Sequence, residues 1–401
     1  MEETHLNFYG LGIAPKLITT LERLKFKTAT PIQHKAIPLI LEGKDIIGIA
    51  QTGTGKTIAF VIPIVQHLAQ NKSRALVVVP TRELALQVRN SFAKIAPVFG
   101  IHTVALIGGD PIQKQLFALA QNPRIMIATP GRFIDLMEQR KIRLQEVSIL
   151  VLDEADQMFD MGFAPQIEII IKALPKARQT MLFSATMPPA IMNMASTHMK
   201  IPVSVEVAPP GTTAERVTHE IFIVQREMKR ELLKKILTQF RGSVLVFCRT
   251  KMGASKIVRV VRDFGHTAAE IHSNRSLAQR RGALEGFKSG QFRILVATDI
   301  AARGIDVKGI EVVINYDLPD TAEKYLHRIG RTGRAGCQGH AISFTTPDQK
   351  NDVLNIEKLL KIALPVSKHP EIPSVEFEKP KKSFSFDHFR AQRRHHRHRR
   401  R

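Results

Sequence analysis

The sequence predicts an α/β fold of two tandem domains, each built on a parallel sheet. Short, continuously apolar runs alternate with helix-like segments, and strands of that kind have both faces of their sheet covered. In the first half these runs are 75–79, 125–128, 149–152 and 181–183. In the second half they are 244–247, 294–297 and 312–316. A chain of 401 residues is also too long for one ordinary domain.

The composition changes at two places along the chain. A segment rich in Pro, Gly and Thr at 208–213 is predicted to be a linker. After residue 363 the helical pattern dissolves, and the chain ends in an Arg- and His-rich run at 393–401, which cannot bury a core. The sequence therefore divides into an N-terminal segment at 1–35, a first domain at 36–207, a linker at 208–218, a second domain at 219–366 and a disordered basic tail at 367–401.

The chain is strongly basic. Its 59 Lys and Arg against 36 Asp and Glu give a net charge of +23. Residues 379–401 hold ten basic residues and one acid, which contributes +9 and leaves +14 on the body of the chain. A polyanionic partner is expected, and nucleic acid fits better than a membrane because no amphipathic helix accompanies the charge. Charge that only aids solubility is the alternative.

Cysteine content and hydropathy indicate a cytoplasmic protein with no membrane partner. Two cysteines, Cys248 and Cys337, are too few for a disulfide framework or a zinc site and fit a reducing compartment. The N-terminus lacks the basic and apolar regions of a signal peptide, and no apolar run is long enough to span a bilayer.

A phosphate-binding loop is predicted between an apolar run at 45–49 and a helix-like segment at 58–61. Its residues are Ala50, Gln51, Thr52, Gly53, Thr54, Gly55, Lys56 and Thr57. The glycines let successive backbone N–H groups point at phosphate oxygens, and the following helix adds its positive end. We expect Lys56 to reach the β- and γ-phosphates of ATP and Thr57 to hold Mg²⁺. The general pattern begins with Gly, and here that place is Ala50.

An acidic turn, Asp153-Glu154-Ala155-Asp156, follows the apolar run 149–152. Because the carboxyl ends of parallel strands meet at one edge of a sheet, these carboxylates should face the same crevice as the phosphate loop. We expect Asp153 to hold Mg²⁺ through its water shell and Glu154 to orient or deprotonate the attacking water. An acidic turn after a strand is common, but together with the phosphate loop it indicates nucleotide hydrolysis.

The acidic turn and Ser184-Ala185-Thr186 after the next strand resemble the DEAD-box RNA helicases of superfamily 2. The further matching segments are Phe26 with Gln33, 80–84, 108–109, 129–132, 246–248, 297–306 and 327–334. The resemblance covers residues 6–366 and implies two RecA-like domains with ATP-dependent, RNA-stimulated helicase activity. The segment 297–304 and the short basic tail are most similar to the bacterial RhlE-type group.

The resemblance assigns ATP-site roles outside the phosphate loop. Phe26 and Gln33 resemble the family's Q motif, in which a ring stacks on adenine and an amide offers a donor and an acceptor to its edge. Asp306 resembles the residue that contacts the ribose. Arg331 and Arg334 are three residues apart, which predicts one side of a helical turn, and they are candidate arginine fingers for the γ-phosphate. A solvated basic face is the ordinary interpretation of such a pair.

The resemblance also implies RNA-binding and coupling residues. Contacts to phosphate and sugar fix the register of RNA without reading its sequence, and the 2′-hydroxyl distinguishes RNA from DNA. The expected RNA-side residues are Arg82, Gly109, Thr129, Arg132, Arg280 and Thr298. Ser184 and Thr186 are expected to couple the ATP state to domain closure, although hydroxyls at strand ends often cap helices.

Three positions depart from the family's pattern. Ala29 stands where Pro is usual, and Ser273 stands where Gly is common. Leu277 replaces the Gln of a Gln-x-x-Arg element whose Arg is Arg280. The Leu277 change puts one hydrogen bond, to RNA or to a neighbouring motif, in doubt.

The expected mechanism divides the ATPase site between the two domains. Lys56, Asp153 and Glu154 belong to the first domain and the arginine fingers to the second, so ATP and single-stranded RNA should close the domains and hydrolysis should release them. The basic tail is expected to tether RNA. The alternatives are a DNA helicase or translocase of the same superfamily and a non-catalytic RNA clamp or annealing factor. A transport ATPase is excluded for want of a transporter-coupling segment.

Overall fold

The computed structural model describes residues 6–51, 53–207, 217–299, 307, 309–333, 338–373 and 375–378. These residues form two α/β units, each built on a parallel sheet, which confirms the predicted fold class. The helices in chain order are α1 Pro15–Arg23, α2 Pro31–Leu41, α3 Lys56–Gln70, α4 Arg82–Ile95, α5 Ile112–Ala120, α6 Pro130–Glu138, α7 Ala155–Asp160, α8 Ala164–Ala173, α9 Pro189–His198, α10 Lys229–Gln239, α11 Lys251–Asp263, α12 Leu277–Lys288, α13 Ala322–Ile329 and α14 Lys350–Leu360.

The first sheet has seven strands in the order β3-β4-β2-β5-β6-β1-β7. Its strands are β1 Ile46–Ile49, β2 Arg74–Val78, β3 Thr103–Leu106, β4 Ile125–Ala128, β5 Val147–Asp153, β6 Gln179–Ser184 and β7 Val203–Glu206. All neighbouring strands run parallel. Both faces are covered, because Val77 packs in one apolar cluster while Leu76 and Val78 pack in the cluster on the opposite face.

The second sheet has six parallel strands in the order β10-β11-β9-β12-β13-β8. Its strands are β8 Val217–Ile223, β9 Ser243–Phe247, β10 Ala268–Ile271, β11 Ile294–Ala297, β12 Ile310–Asn315 and β13 Gly339–Thr345. Taken in chain order, β8 to β13 occupy the same places as β1 to β6 in the first sheet. The second domain therefore repeats the connectivity of the first.

The predicted N-terminal boundaries need correction. The boundary between residues 35 and 36 falls inside α2, and Phe8, Leu11 and Leu17 pack in the same apolar cluster as the first sheet. The segment 6–35 is therefore part of the first domain. Strand β8 begins at Val217, so the last two residues assigned to the linker lie in a strand.

The tail begins later than predicted. The amide of Ser367 donates to the carbonyl of Ile221 at 2.8 Å, and Ile372 is buried against the second sheet. Phe377 packs beside α13 and α14, and the amide of Glu378 donates to the carbonyl of Pro347 at 2.9 Å. Disorder was therefore a wrong expectation for 367–373 and 375–378, where scattered apolar residues suffice to hold the chain. Residues 379–401 lie outside the described residues.

Helix α3 contains a proline in its interior. Pro63 was expected to kink or shorten the helix after the phosphate loop, yet α3 continues through it to Gln70. The lost hydrogen bond is offset by burial, since Ile62 and Ile64 on either side are fully buried.

None of the helices in the described part of the chain combines the length and apolarity needed to cross a bilayer.

Candidate nucleotide and nucleic-acid site

The predicted phosphate loop connects β1 to α3. Gly53 and Gly55 have φ angles of 88° and 94°, which is backbone that favours glycine. The Lys56 ammonium is buried and donates to the carbonyl of Ala50 at 2.7 Å, across the mouth of the loop. The Thr54 hydroxyl donates to the carbonyl of Gln51 at 2.7 Å. Thr57 follows Lys56 in the first turn of α3, and Thr52 lies outside the described residues.

Gln33 joins the predicted adenine-recognition segment to the phosphate loop. Its Oε1 accepts from the backbone N–H of Thr30 at 2.9 Å, and its Nε2 donates to the carbonyl of Gly55 at 3.0 Å. The Thr30 hydroxyl beside it is buried with no hydrogen-bond partner among the described residues. Phe26 is half-buried and packs against the first-domain core. The amide of Gln33 thus holds the loop to the start of α2.

The two predicted catalytic carboxylates meet Lys56 at the end of β5. Asp153 is the last residue of the strand rather than the residue after it, and its Oδ1 accepts from the N–H of Glu154 at 3.0 Å. Glu154 has a φ of 54°, an uncommon value for a non-glycine residue, and precedes α7. Its Oε2 is buried without a hydrogen-bond partner among the described residues.

Burial sets the protonation of this pair. Burial raises the pKa of Asp153 to about 6, although the nearby Lys56 ammonium opposes the rise. Burial, with the negative charge of Asp153, raises the pKa of Glu154 to about 7, against the pull of Lys56 and Arg331. An orphaned carboxylate oxygen and two carboxyls of raised pKa beside a buried ammonium form a site that a phosphate-bound cation would complete.

Asp156 ties the acidic turn to Ser184 and Thr186. Its Oδ2 accepts from the N–H groups of Ala185 and Thr186 at 3.0 and 2.9 Å and from the Thr186 hydroxyl at 3.1 Å. The Ser184 hydroxyl accepts from the N–H of Asp156 at 3.2 Å. His327 of the second domain brings its Nε2 to 3.9 Å from Asp156 Oδ2. Asp156 therefore binds both hydroxyl-bearing residues and is also the residue of the acidic turn that His327 approaches.

Arg331 lies just after helix α13, where its charge acts on the first-domain carboxylate Glu154. The helix ends at Ile329, and the turn predicted to hold Arg331 and Arg334 on one side extends into residues outside the described part of the chain. Arg331 is 3% exposed and lowers the pKa of Glu154. Arg334 and Asp306 lie outside the described residues.

Arg328 is an anchoring residue that the sequence analysis did not assign. Its guanidinium pairs with both carboxylate oxygens of Asp299, at 2.6 and 2.8 Å, and donates to Asn315 Oδ1 at 3.1 Å. It also lies over the ring of Phe247, 5.0 Å from the centroid. These bonds connect the ends of three strands to α13 and so position the segment that carries Arg331. The sequence did contain an indication of this pair, since Arg328 and Asp299 both lie in segments that resemble the family's motifs.

A cleft of about 320 Å³ gathers four of the six predicted RNA-side residues. They are Arg82, Thr129, Arg132 and Arg280, and Ser273 lines the same cleft. Gly109 lies beside it, because a Cβ there would come within 2.2 Å of Arg82 Nη1. Thr298 does not line this cleft, although it sits at the end of β11 in the same domain as Arg280.

Two residues of α12, in the second domain, contact the first domain through their side chains. Arg280 Nη2 donates to Glu83 Oε2 at 2.6 Å, and the side chains are 10% and 3% exposed. Leu277, at the family's Gln position, is buried in the apolar cluster of the first domain. The hydrogen bond that the sequence analysis placed in doubt is therefore replaced by apolar packing.

Comparison with known proteins agrees with this architecture. Residues 30–194 match the family model for DEAD/DEAH box helicases, and residues 228–336 match the helicase conserved C-terminal domain. The chain is 42% identical over 373 residues to the ATP-dependent rRNA helicase RRP3 of Meyerozyma guilliermondii, covering 92% of this chain and 78% of that one. It is 42% identical over 368 residues to the DEAD-box ATP-dependent RNA helicase CshA of Geobacillus kaustophilus, covering 91% and 79%.

A solved structure shows the same arrangement with ligands in place. The S. cerevisiae protein Dbp5 bound to RNA and ADP BeF3 superposes with a TM-score of 0.81 at 29% identity, covering 90% of this chain and 95% of that one. The fold, the residues gathered at the two sites and these likenesses define one class of protein. The chain belongs to the DEAD-box ATP-dependent RNA helicases.

Proposed function

We propose that this helicase hydrolyses ATP at a site completed by domain closure and uses closure to open short stretches of RNA duplex. The observation that supports this best is that the charge of Arg331 of the second domain acts on Glu154 of the first, together with that of Lys56. Lys56 and the loop amides would hold the β- and γ-phosphates, and Glu154 would take a proton from the attacking water. Arg331, with Arg334, would stabilise the charge that develops on the γ-phosphate.

Mg²⁺ fits this site, where it would offset phosphate charge. Thr57 and Asp153 would hold it, the second through water, because hydroxyl and carboxylate oxygens are its preferred ligands. Phe26 and Gln33 would recognise adenine, and Asp306 the ribose. Adenine binding at Gln33 would also affect the phosphate loop, because Gln33 Nε2 already donates to the Gly55 carbonyl.

RNA would run through the cleft that contains Arg82, Thr129, Arg132 and Arg280, with Gly109 and Thr298 adding contacts beyond it. Such side chains grip phosphate and sugar without reading bases. The cleft is lined from both domains, so RNA binding favours the closed arrangement. Closure that bends one strand would expel its complement locally, without long-range translocation.

Asp156 is the proposed switch between the ATP site and closure. Its Oδ2 accepts from Ala185 and Thr186 and is also the oxygen that His327 Nε2 approaches. A change at Asp153 and Glu154 on hydrolysis would move Asp156 and loosen that contact. Ser184 and Thr186 would thereby act as coupling residues.

The remaining proposals concern the chain as a whole. We assign the first domain to 6–207 and the second to 217–378, with the basic tail at 379–401 as an auxiliary RNA tether. Membership of the bacterial RhlE-type group stays a prediction, as does a cytoplasmic location.

A nucleic-acid titration tests this function against its alternatives. Steady-state ATP hydrolysis is measured with Mg²⁺ and increasing single-stranded RNA, or DNA of the same sequence, followed by displacement of a short RNA duplex. We expect strong stimulation by RNA, weak stimulation by DNA and ATP-dependent displacement. Equal stimulation by DNA would indicate the DNA translocase, and RNA annealing without hydrolysis would indicate the clamp.

A further inference from the structure

The repeated connectivity gives every strand of the ATP site a counterpart in the second sheet. Strand β8 corresponds to β1, β9 to β2, β12 to β5 and β13 to β6. In the first domain Lys56 opens the helix after β1, and Asp153 ends β5. In the second domain Lys229 opens α10 after β8, and Asp317 follows β12 by two residues. A Lys therefore recurs at the matching helix start. An Asp recurs one residue beyond the matching strand position, because Asn315 pairs with Phe247 as Leu152 pairs with Val78.

The second pair is formed in the structure. Lys229 is 4% exposed, and its ammonium donates to the carbonyl of Tyr316 at 2.8 Å and lies 3.3 Å from Asp317 Oδ1. The helices that follow β9 and β2 also begin in the same way: the Thr250 hydroxyl caps α11, and the Thr81 hydroxyl caps α4. The glycine-rich loop does not recur: the connection from β8 to α10 is a 3-10 turn at Arg226–Met228.

A cleft of about 570 Å³, named here the second-domain cleft, lies over this pair. It lies at the carboxyl ends of β8, β9, β12 and β13, and strand order reverses between β9 and β12. Ligands of parallel α/β sheets bind at such reversal points, and the volume suits a nucleotide. The charged side chains that line the cleft are Arg226, Lys229, Arg230, Arg249 and Lys256 against Glu227, Asp317 and Asp348.

Two of the three acids of the cleft, Asp317 and Asp348, interact with residues of its own wall. Asp317 binds Lys229 through Oδ1 and accepts from the N–H of Arg249 at 3.1 Å through Oδ2. The Thr346 hydroxyl, helped by Arg226 and Lys229, holds the pKa of Asp348 below its usual value, so Asp348 stays ionised beside those cations. Cations outnumber acids by five to three, and the excess favours an anion.

The rim and floor add features that suit a nucleotide. Arg230 on α10 and Lys256 on α11 are exposed on opposite sides of the opening. The half-buried ring of Tyr316 lines the cleft, with the Lys229 ammonium 5.5 Å from its centroid. An aromatic face among cations accepts a base and its phosphate together.

We propose that the second-domain cleft binds a phosphate-bearing nucleotide unit, either a free nucleotide or a nucleotide of the bound RNA. The second-domain cleft lies near the cleft proposed to bind RNA. Lys251, next to Thr250 of the second-domain cleft, donates to Asn274 Oδ1 at 3.0 Å, and Asn274 is next to Ser273 of the proposed RNA cleft. The cleft lacks the glycine-rich loop, so it binds without hydrolysing.

The basic C-terminal tail is unsuited to occupy the second-domain cleft itself, although the chain that leads to it lies beside the cleft. The Glu378 amide bonds to Pro347, between two residues that line the cleft, so the tail leaves at its rim. Residues 379–401 carry +9, and the cations of the cleft repel them. The same polyanion can instead contact the cleft and the tail.

Photo-crosslinking of the full-length protein tests the proposal. One arm uses RNA with 4-thiouridine, and the other uses 8-azido-ATP; the labelled peptides are mapped by mass spectrometry. The double variant Arg230→Glu with Lys256→Glu is compared with Lys234→Glu with Arg259→Glu. The control pair lies on the same two helices, is exposed, makes the same charge change and does not line the cleft.

We expect label in the peptide that contains Tyr316, at least tenfold weaker in the cleft variant and unchanged in the control. Label from RNA alone identifies an RNA nucleotide as the ligand, and label from the ATP analogue identifies a free nucleotide. In the RNA case the salt slope of RNA affinity should fall by roughly 1.4, at about 0.7 per phosphate contact. Absence of label from both probes in the wild-type protein, or equal loss in both variants, would overturn the proposal.

Discussion

Arg280 of the second domain and Glu83 of the first form a buried ion pair, with 2.6 Å between Nη2 and Oε2. Arg280 Nε and Glu83 Oε1 are buried without hydrogen-bond partners within the described residues, so each group depends on this single contact. Both side chains lie on helices that flank the RNA cleft, and the pair exists only when the domains are together. The pair is therefore a contact between the domains, and Arg280 also lines the cleft.

We predict that Glu83→Ala weakens closure. Removing one partner of a buried pair leaves the other uncompensated, which typically costs roughly 3–5 kcal/mol. The RNA concentration that half-saturates ATP hydrolysis should rise at least tenfold. The measurement is an RNA titration of steady-state hydrolysis at saturating ATP.

Two variants control for this experiment. Arg281→Ala removes a half-exposed cation 4.0 Å from Asp110 and should change little, because exposed pairs contribute about 0–1 kcal/mol. Adding Arg280→Ala to Glu83→Ala should cost less than the two single changes summed. Strict additivity of the two changes would show that the pair does not contribute to closure.

We predict that Gly55→Ala disables nucleotide binding. Residue 55 has a φ of 94°, and a Cβ there would lie 2.3 Å from Gln33 Nε2, so both the loop and its tether to Gln33 would be displaced. Binding of a fluorescent ATP analogue should fall at least tenfold. Gly43→Ala is the matched control, because it has a similar φ of 80° with open space around the site. A similar binding loss in both variants would point to general strain rather than loop geometry.

We predict that Glu154→Gln separates ATP binding from hydrolysis. The amide keeps the size of the side chain in its buried site but cannot take a proton, so ATP and RNA should stay bound while hydrolysis falls by about 10²–10⁴-fold. Single-turnover hydrolysis and RNA retention on a filter measure both effects. Glu138→Gln, at the exposed end of α6, is the control. Hydrolysis by Glu154→Gln at the wild-type rate would remove the role assigned to Glu154.

We predict that truncation after Glu378 weakens RNA binding without slowing hydrolysis at saturating RNA. The removed residues carry +9 and three phenylalanines, Phe384, Phe386 and Phe389, which suit phosphate contacts and base stacking. The affinity and its salt slope should both fall relative to the full chain. Equal affinity and equal slope for both proteins would show that the tail is not a tether.

The sequence predicted the interior of each sheet better than its edges. Continuously apolar runs match β2, β4, β5 and β6 and also β9, β11 and β12, which have neighbours on both sides. The four edge strands, β3, β7, β8 and β10, were not predicted, because edge strands have an exposed side and mix polar with apolar residues. Strand β13 is interior but was hidden by Gly339, His340 and Ser343.

The site was predictable where chemistry follows chain order and unpredictable where it depends on domain contacts. Lys56, Asp153 and Glu154 could be predicted to lie together because each belongs to a local pattern at a strand end. The partner of Arg280 lies 197 residues away, and no local pattern reports such a contact. Leu277 shows the same limit, since its burial depends on a surface of the other domain.

The central claim is that the ATPase site is complete only when the second domain supplies Arg331. The direct test is steady-state ATP hydrolysis by wild-type and Arg331→Ala proteins, with and without saturating single-stranded RNA, beside a measurement of ATP affinity. An arginine finger contributes about 10³–10⁵-fold to turnover. We therefore predict that Arg331→Ala binds ATP within a few-fold of wild type, while RNA-stimulated hydrolysis falls by at least about 10³-fold. RNA-stimulated hydrolysis by Arg331→Ala at the wild-type rate would contradict the account.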